Sequence, residues 1–193
     1  MRLGAAMRRR LWRTAFACSG GLAVEGPVPG GPCVVVANHC SHADTAALLA
    51  ALPARLRPSV AAAADYWFAT RARALVCRTL VSGFPVRRGG GGSRDLAAAV
   101  QLLDQGRVLV VYPEGTRSRD GRVGEFHGGA ARLAEAAGVP IVPVLLEGTG
   151  RVLPVHGRLS RAPVTVRFLP PVPDLKTAHQ LMRSRQLPTT PEG

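Results

Sequence analysis

A histidine and an aspartate five residues apart, His39 and Asp44, are the side chains in this sequence best suited to acid–base chemistry. A neutral histidine can take a proton from an alcohol near neutral pH when a partner fixes its tautomer. If residues 39–44 were all helical, the two side chains would lie about 140° apart around the helix axis and could not meet. We therefore predict that His39 lies on a loop and that Asp44 lies in the first turn of the following helix, folded back toward the histidine.

The same stretch allows other interpretations. Ser41 and Asp44 have the spacing of a capping box, with Ser41 as the N-cap of the helix. Cys40 could act as a covalent nucleophile beside His39 or His42, and His39, His42 and Asp44 could bind a metal ion. The sequence shows neither an environment that favours a thiolate nor a fourth ligand at useful spacing, so the last two interpretations rank lower.

Short apolar runs, which predict strands, alternate along the chain with longer segments that predict helices. Alternating strands and helices favour an α/β fold, with a mixed, partly parallel central sheet flanked by helices. In such sheets the chemistry lies at the carboxyl ends of the strands, so His39 and Glu114, which each follow a strand, are expected on the same rim. We predict strands at 22–25, 33–37, 59–64, 84–86, 107–111, 141–146 and 164–168, and helices at 44–52, 65–80 (capped by Asp65), 93–103 (capped by Ser93), 129–137 and 175–185.

The composition narrows the class of protein. A chain of 193 residues is typical of one domain, and its net charge of +13 favours an anionic partner such as a phospholipid surface, a phosphate-bearing substrate or nucleic acid. Aromatic residues make up only 5%, and the arginines are spread along the chain, so a nucleic-acid binder ranks below an enzyme. The four cysteines have no CxxC spacing, which favours a reducing, cytosolic setting without zinc or disulfides.

The first twenty residues are basic and amphipathic. Leu11, Trp12, Ala15 and Phe16 can share one helical face flanked by arginines, as in a helix that lies in a membrane interface. Two alternatives are an ordinary helix docked on the domain and, ranked lower, a secretory or lipoprotein signal. No apolar run approaches the ~20 residues that span a bilayer. We divide the chain into this segment (1–20), a catalytic domain (21–173) and a short C-terminal helix with a tail (174–193).

Two further motifs carry groups suited to anions. The loop 112–118 follows a strand; its Gly115 lets the backbone approach a ligand, and Thr116, Arg117 and Ser118 offer donors to a phosphate. Arg87 and Arg88 precede four glycines, which is typical of an anion clamp or of a solvated basic turn. Taken alone, a surface loop explains either motif.

Four blocks in order, at 38–44, 84–88, 112–118 and 139–144, resemble the glycerolipid acyltransferases of the lysophosphatidate acyltransferase type. The resemblance implies acyl transfer from acyl-CoA or acyl-carrier protein to the free hydroxyl of a lysophospholipid, with 1-acylglycerol-3-phosphate as first choice and phosphatidic acid as product. It implies His39 as general base and Asp44 as the residue that orients it. Another lysolipid or a glycolipid acceptor stays open, since Ala61–Asp65 and His127 depart from the family's usual lysines.

The resemblance also implies the remaining calls on partners and sites. No cofactor and no metal are required, and the enzyme is expected to be peripheral at the cytoplasmic face of the cell membrane, on an anionic surface and without nucleic acid. The 139–144 block would pack beside the acyl chain. The residues implied to bind substrate are Asn38, Arg87, Arg88, Glu114, Gly115, Thr116 and Arg117.

Overall fold

Seven strands form one sheet in a computed structural model that describes residues 2–87, 92–118, 120–154 and 158–186. Its order is β1-β7-β6-β2-β5-β3-β4, with all neighbours parallel except the antiparallel pair β6 and β7. The sequence predicted a mixed, partly parallel sheet, which is confirmed. The strands are β1 (Leu22–Glu25), β2 (Cys33–Ala37), β3 (Ser59–Ala63), β4 (Gly83–Val86), β5 (Val108–Val111), β6 (Ile141–Glu147) and β7 (Val164–Phe168).

Helices cover both faces of this sheet. The helices are α1 (Arg2–Cys18), α2 (Asp44–Ala51), α3 (Ala64–Trp67), α4 (Arg71–Val76), α5 (Gly92–Asp104), α6 (Gly129–Ala137), α7 (Thr149–Val152) and α8 (Leu175–Arg185), with a 3-10 turn at Ala54–Leu56 and a π-helical turn at Cys77–Val81.

The core is divided between the two faces of the sheet. Val35 faces a cluster that includes Phe16 of α1 and most of α2, whereas Val34 and Val36 face a cluster formed with α5, α6 and α8. All five residues of β2 are buried, because helices cover the strand on both sides. This alternation fixes the direction of each side chain along β2 and therefore the place where the chain leaves the sheet at residue 38.

The predicted helix at 65–80 is wrong as one element. It is broken into α3, α4 and the π-helical turn, because Thr70 is extended and its hydroxyl accepts a hydrogen bond from Arg73 N (3.3 Å), which starts a new helix. Asp65 is not its N-cap: α3 begins at Ala64, and Asp65 lies in its first turn. The short helix α7 was not predicted, and α5 begins at Gly92 rather than after a Ser93 cap.

The N-terminal helix is present, but the four residues predicted to share its apolar face are divided. Phe16 is buried against α2, and Trp12 donates from Nε1 to Leu80 O (3.0 Å), whereas Leu11 and Ala15 are exposed. Successive residues of a helix point about 100° apart. The boundary between the docked side and the exposed side of α1 therefore lies between Leu11 and Trp12. One side of α1 is therefore part of the core.

Some predicted features lie outside the described residues. They are Arg88, Gly89–Gly91, His156 and the tail 187–193. The expected role of Arg88 in substrate binding therefore stays a prediction. Within the described ranges, no helix is long and apolar enough to cross a bilayer.

Candidate active site

The carboxyl ends of β2 and β5 bring the two predicted functional loops together. These strands are parallel neighbours in the sheet, with Val36 opposite Val111. His39 follows β2 after one residue, and the loop 112–118 follows β5 directly. The predicted shared rim is confirmed, and it has the position at which parallel α/β sheets bind their ligands.

His39 and Asp44 meet as the spacing predicted. The distance from His39 Nδ1 to Asp44 Oδ2 is 2.7 Å, and the aspartate is fully buried while the histidine side chain is 15% exposed. A carboxylate at Nδ1 holds the proton on that nitrogen and leaves Nε2 as the acceptor. The pair thus presents the geometry of an oriented base, in which a buried acid fixes the tautomer and Nε2 is left to take a proton.

Asp44 also holds the loop that carries the histidine. Its Oδ2 accepts hydrogen bonds from the backbone N–H groups of Cys40 and Ser41, both at 2.8 Å. Three hydrogen-bonding partners therefore converge on one carboxylate oxygen. The loop conformation and the orientation of the imidazole depend on the same side chain.

Ser41 is not the N-cap of α2, as the sequence had suggested. The helix begins at Asp44, and the capping position is Ala43, which makes no side-chain capping bond. The buried Ser41 hydroxyl lies instead within hydrogen-bond distance of the carbonyl oxygens of Thr149 (2.9 Å) and Leu153 (2.6 Å). Only the aspartate half of the predicted capping box is formed, while the serine ties the loop to α7.

The loop after β5 binds both backbone polar groups of His39. The N–H of His39 donates to Glu114 Oε1 (3.0 Å), and the N–H of Ser118 donates to the His39 carbonyl oxygen (2.7 Å). Glu114 is only 8% exposed and also accepts a backbone hydrogen bond from Gly124. The third sequence block therefore positions the histidine of the first.

Burial strongly perturbs the Glu114 carboxyl. Desolvation raises its pKa to about 7, against the lowering effect of the hydrogen bonds from His39 and Gly124. A side chain at position 124 would be crowded, because a Cβ on Gly124 would lie 3.0 Å from Glu114 Oε2. The close packing of this carboxyl between two loops explains why a glycine is found there.

Tyr112 supplies a contact with the histidine ring that the sequence did not predict. Its ring stacks on the imidazole of His39 with centroids 4.0 Å apart and planes 16° from parallel. The phenol oxygen lies 3.0 Å from Thr45 Oγ1, and burial together with the charge of Asp44 raises the Tyr112 pKa well above 10. A neutral tyrosine fixed to α2 thus limits rotation of the imidazole, while Asp44 holds its edge. Its place at the end of β5, beside β2, is the one sequence signal for this role.

Two of the residues predicted to bind substrate are occupied by protein contacts. Asn38 is 1% exposed, and its amide group donates to Leu146 O (3.0 Å) and accepts from Leu146 N (2.8 Å), which joins the end of β2 to β6. Glu114 is held between His39 and Gly124. In this structure both side chains shape the rim.

Arg117 is placed well for an anion. Its Nε is buried without a hydrogen-bond partner in the described part of the chain. Its positive charge is close enough to Tyr112, which stacks on the histidine, to oppose the rise in the tyrosine pKa. Gly115 has a φ of +71°, and a Cβ there would lie 3.3 Å from the ring of His127. The loop therefore makes a tight turn against the His127 side chain. Thr116 is exposed on the same loop. Arg117 and Thr116 therefore offer donors on the loop that binds the backbone of His39, whereas the predicted ligand Gly115 uses its N–H to donate to Tyr112 O (3.1 Å).

Arg87 lies on the same edge of the sheet but farther along it. It follows β4, three strands from β2, or about 14 Å at the usual spacing between strands. Its guanidinium donates to both carboxylate oxygens of Asp95, with a shortest distance of 2.8 Å, and the hydrogen bonds and charge of Asp95 raise its pKa. The arginine is 60% exposed and contacts a carboxylate.

The other chemistries considered for this stretch find little support. Burial, and next the charge of Asp44, raise the pKa of Cys40 to about 11, so its thiol is neutral at pH 7 and poorly suited to nucleophilic attack. Among the residues that the structure describes, no three His, Cys, Asp or Glu side chains form a group that could hold a metal ion.

The fold and site define an α/β protein whose histidine–aspartate pair stands at the carboxyl rim of a mostly parallel sheet. A family model described as Acyltransferase matches residues 22–147, which cover β1 to β6 and both loops of the site. The chain belongs to this acyltransferase family.

Known proteins similar to this chain carry consistent names. It is 32% identical over 151 residues to the chloroplastic 1-acyl-sn-glycerol-3-phosphate acyltransferase BAT2 of Brassica napus. The aligned region covers 73% of this chain and 41% of the relative. It is 34% identical over 146 residues to the human 1-acyl-sn-glycerol-3-phosphate acyltransferase alpha, with 75% and 51% covered. The chain thus spans about half or less of the length of these relatives.

A solved structure shares the fold. The 1-acyl-sn-glycerophosphate acyltransferase PlsC from Thermotoga maritima superposes with a TM-score of 0.76 at 26% sequence identity, over 93% of this chain and 77% of that one. The resemblance predicted from the four sequence blocks is confirmed at the level of family and fold.

Proposed function

We propose that this chain transfers a fatty acyl group from a thioester, acyl-CoA or acyl-carrier protein, to the free hydroxyl of 1-acylglycerol-3-phosphate, which gives phosphatidic acid. The observation that carries the proposal is the 2.7 Å contact between His39 Nδ1 and the fully buried Asp44, at the rim where the family's blocks meet. The names of the similar plant, human and bacterial proteins support the choice of acceptor.

The proposed reaction needs a base and no covalent enzyme intermediate. His39 Nε2 takes the proton of the acceptor hydroxyl as its oxygen attacks the thioester carbonyl carbon, and Asp44 stabilises the imidazolium that forms. When the tetrahedral intermediate collapses, the carbon–sulfur bond breaks and the thiolate leaves. The proton on Nε2 passes to the sulfur, so that the histidine is neutral again for the next turnover.

Arg117 is the proposed ligand of the acceptor's phosphate. Its Nε is buried without a partner among the described residues, and a guanidinium binds a phosphate oxygen pair through parallel hydrogen bonds. Thr116 adds a hydroxyl donor from the same loop, whereas the Gly115 N–H already donates to Tyr112 O (3.1 Å) and closes the turn. Asn38 and Glu114 act in this proposal as positioning residues, while Arg87 would reach only an extended or larger ligand.

A membrane surface is the proposed site of action, because the acceptor is a lipid. Five of the eight exposed large apolar side chains in the described ranges lie on α1, α4 and the π-helical turn: Met7, Leu11, Leu75, Val76 and Leu80. The bond between Trp12 and Leu80 places these elements side by side, and exposed arginines flank them. An apolar face with an arginine border is the pattern of an interfacial, peripheral contact with anionic lipid.

The proposed reaction is tested with purified protein, labelled acyl-CoA and mixed vesicles that contain one of several lysolipids. We expect phosphatidic acid from 1-acylglycerol-3-phosphate, none with His39→Ala, and nearly unchanged rates with His42→Ala, an exposed histidine three residues away. Full activity of His39→Ala would refute the mechanism. Turnover of another lysolipid alone, still dependent on His39, would refute the acceptor and leave the mechanism standing.

A further inference from the structure

Three arginines gather at the edge of the sheet opposite the catalytic rim. Arg57 and Arg107 lie just before β3 and β5, and Arg8 reaches from α1 to the turn before β4. These three strands are parallel, and β3 lies between the other two, so their amino ends lie along one edge. All three arginines are partly buried.

Two serines bring the guanidinium groups together. Arg107 Nη1 donates to Ser59 Oγ, and Arg8 Nη2 donates to Ser82 Oγ, both at 3.0 Å. The residue after Ser59, Val60, donates its backbone N–H to the carbonyl oxygen of Ser82 (3.1 Å). The two serines are therefore neighbours on adjacent strands, and so are the arginines that they bind.

The positive charge of this cluster is not balanced by protein groups. The hydrogen bonds that the three side chains donate in the described structure go to hydroxyl and carbonyl oxygens, and none of the three forms an ion pair there. Arg107 Nε is buried without a partner in that same part of the chain. Burial first, and then mutual repulsion, lower the pKa of Arg8 and of Arg107. A ligand that is negative and has several acceptor oxygens would satisfy both needs.

The backbone at this edge is also unusual. Arg57 has a φ of 44° and Ser82 a φ of 57°, and among the described residues these are the two positions other than glycine with a positive φ. Such conformations are costly for residues with a side chain and are concentrated at binding sites. Both lie in the cluster, which is an observation independent of its charge.

We propose that Arg8, Arg57 and Arg107 form a second anion-binding site, which takes a phosphate group and is separate from the catalytic rim. The headgroup of an anionic phospholipid and a soluble phosphate compound share this chemistry, since guanidinium groups bind the phosphate of both in the same way. Arg8 follows Met7, one of the exposed apolar residues of α1, so the site borders the surface proposed to meet the membrane.

The first experiment measures thermal stabilisation by inorganic phosphate. Arg117→Gln serves as the background, so that the rim does not contribute, and Arg57→Gln or Arg107→Gln is added to it. We expect phosphate to raise the melting temperature of the background and to bind about tenfold more weakly in either double variant, because one charged hydrogen-bonding partner is lost. Arg183→Gln, an exposed arginine on α8, is the matched control and should leave binding unchanged.

The second experiment separates the two sources of phosphate. Flotation with phosphatidylglycerol–phosphatidylcholine vesicles should weaken in the double variants but not in the Arg183→Gln control if a lipid headgroup is the ligand. A loss of phosphate stabilisation with unchanged flotation supports a soluble ligand instead. Equal phosphate binding and equal flotation in the background and both double variants would overturn the proposal, as would an equal loss in the control. Circular dichroism identifies a variant that does not fold, and the other variant then carries the test.

Discussion

Replacement of Asp44 by asparagine separates the proposed chemical role of this side chain from its structural role. Asparagine keeps the size and one carbonyl oxygen, so it can still accept from His39 Nδ1 and from the N–H groups of Cys40 and Ser41, which lie 2.7 to 2.8 Å from Asp44 Oδ2. It loses the negative charge. In the proposed reaction, the imidazolium that forms when His39 takes a proton then has no counter-charge.

The two roles predict losses of different size. A hydrogen bond to a charged group is worth about 1 kcal/mol more than one between neutral groups. The replacement makes the three bonds of Asp44 neutral, so it lowers the free energy of unfolding by at most about 3 kcal/mol. For a chain of this length that lowers the melting temperature by about 6–12 °C. Oriented acid–base catalysis contributes about 10²- to 10⁴-fold to a rate, which is the loss we expect in kcat for Asp44→Asn, with KM nearly unchanged.

Unfolding cannot account for a loss of that size. Even a protein of only about 5 kcal/mol total stability retains about 2 kcal/mol in the variant and stays about 97% folded. The assay follows release of the free thiol from acyl-CoA at saturating acceptor, while circular dichroism records the melting curve. Asp174→Asn is the matched control, because Asp174 caps α8 through Thr177 N (2.8 Å) and lies away from the rim. We expect it to lower stability slightly and leave kcat unchanged.

One result would refute this reasoning. If Asp44→Asn keeps its kcat at a temperature where it is folded, the aspartate acts only as a loop anchor and capping residue. A loss of kcat that follows the unfolded fraction point by point along the melting curve would lead to the same conclusion.

Three further predictions address other parts of the site and fold. Tyr112→Leu removes the ring stacked on His39 and should lower kcat about 2- to 10-fold, whereas Tyr112→Phe, which keeps the ring, should not; equal rates in both variants would exclude a role for the stack. The Glu114 pKa is raised to about 7, so the folded state keeps a proton that the unfolded state releases between pH 4.5 and 7, and the stability due to this group falls as pH rises through that range. The melting temperature of the wild type minus that of Glu114→Gln should therefore decrease from pH 5 to 7 and level off above it; a difference that rises would contradict the shift. Gly148→Ala should cost about 2–5 kcal/mol, because its Cβ would lie 2.1 Å from a backbone carbonyl oxygen at a φ of +83°, while Gly138→Ala, with open space around it, should cost about 1–2 kcal/mol in a denaturant melt.

The sequence alone predicted the strands and the contact between His39 and Asp44, because both depend on local patterns. The apolar run 33–37 has the length and composition of a buried strand, and the spacing of His39 and Asp44 is compatible with contact only at a loop–helix junction. The prediction of one long helix at 65–80 was wrong, since the Thr70 hydroxyl accepts a hydrogen bond from the Arg73 N–H and starts a new helix, and no apolar period records that interaction.

Contacts between residues far apart in sequence were decided only by the tertiary structure. Glu114 and His39 are 75 residues apart, and the packing of β5 beside β2 makes the acid a support for the histidine loop instead of an open substrate ligand. The stacking of Tyr112 has the same origin. Likewise, three arginines with no common sequence motif meet at the opposite edge, because β3, β4 and β5 begin side by side and α1 places Arg8 against the turn before β4. Periodicity along the chain specifies which face of a strand is buried, but the order of strands in the sheet determines which loops meet.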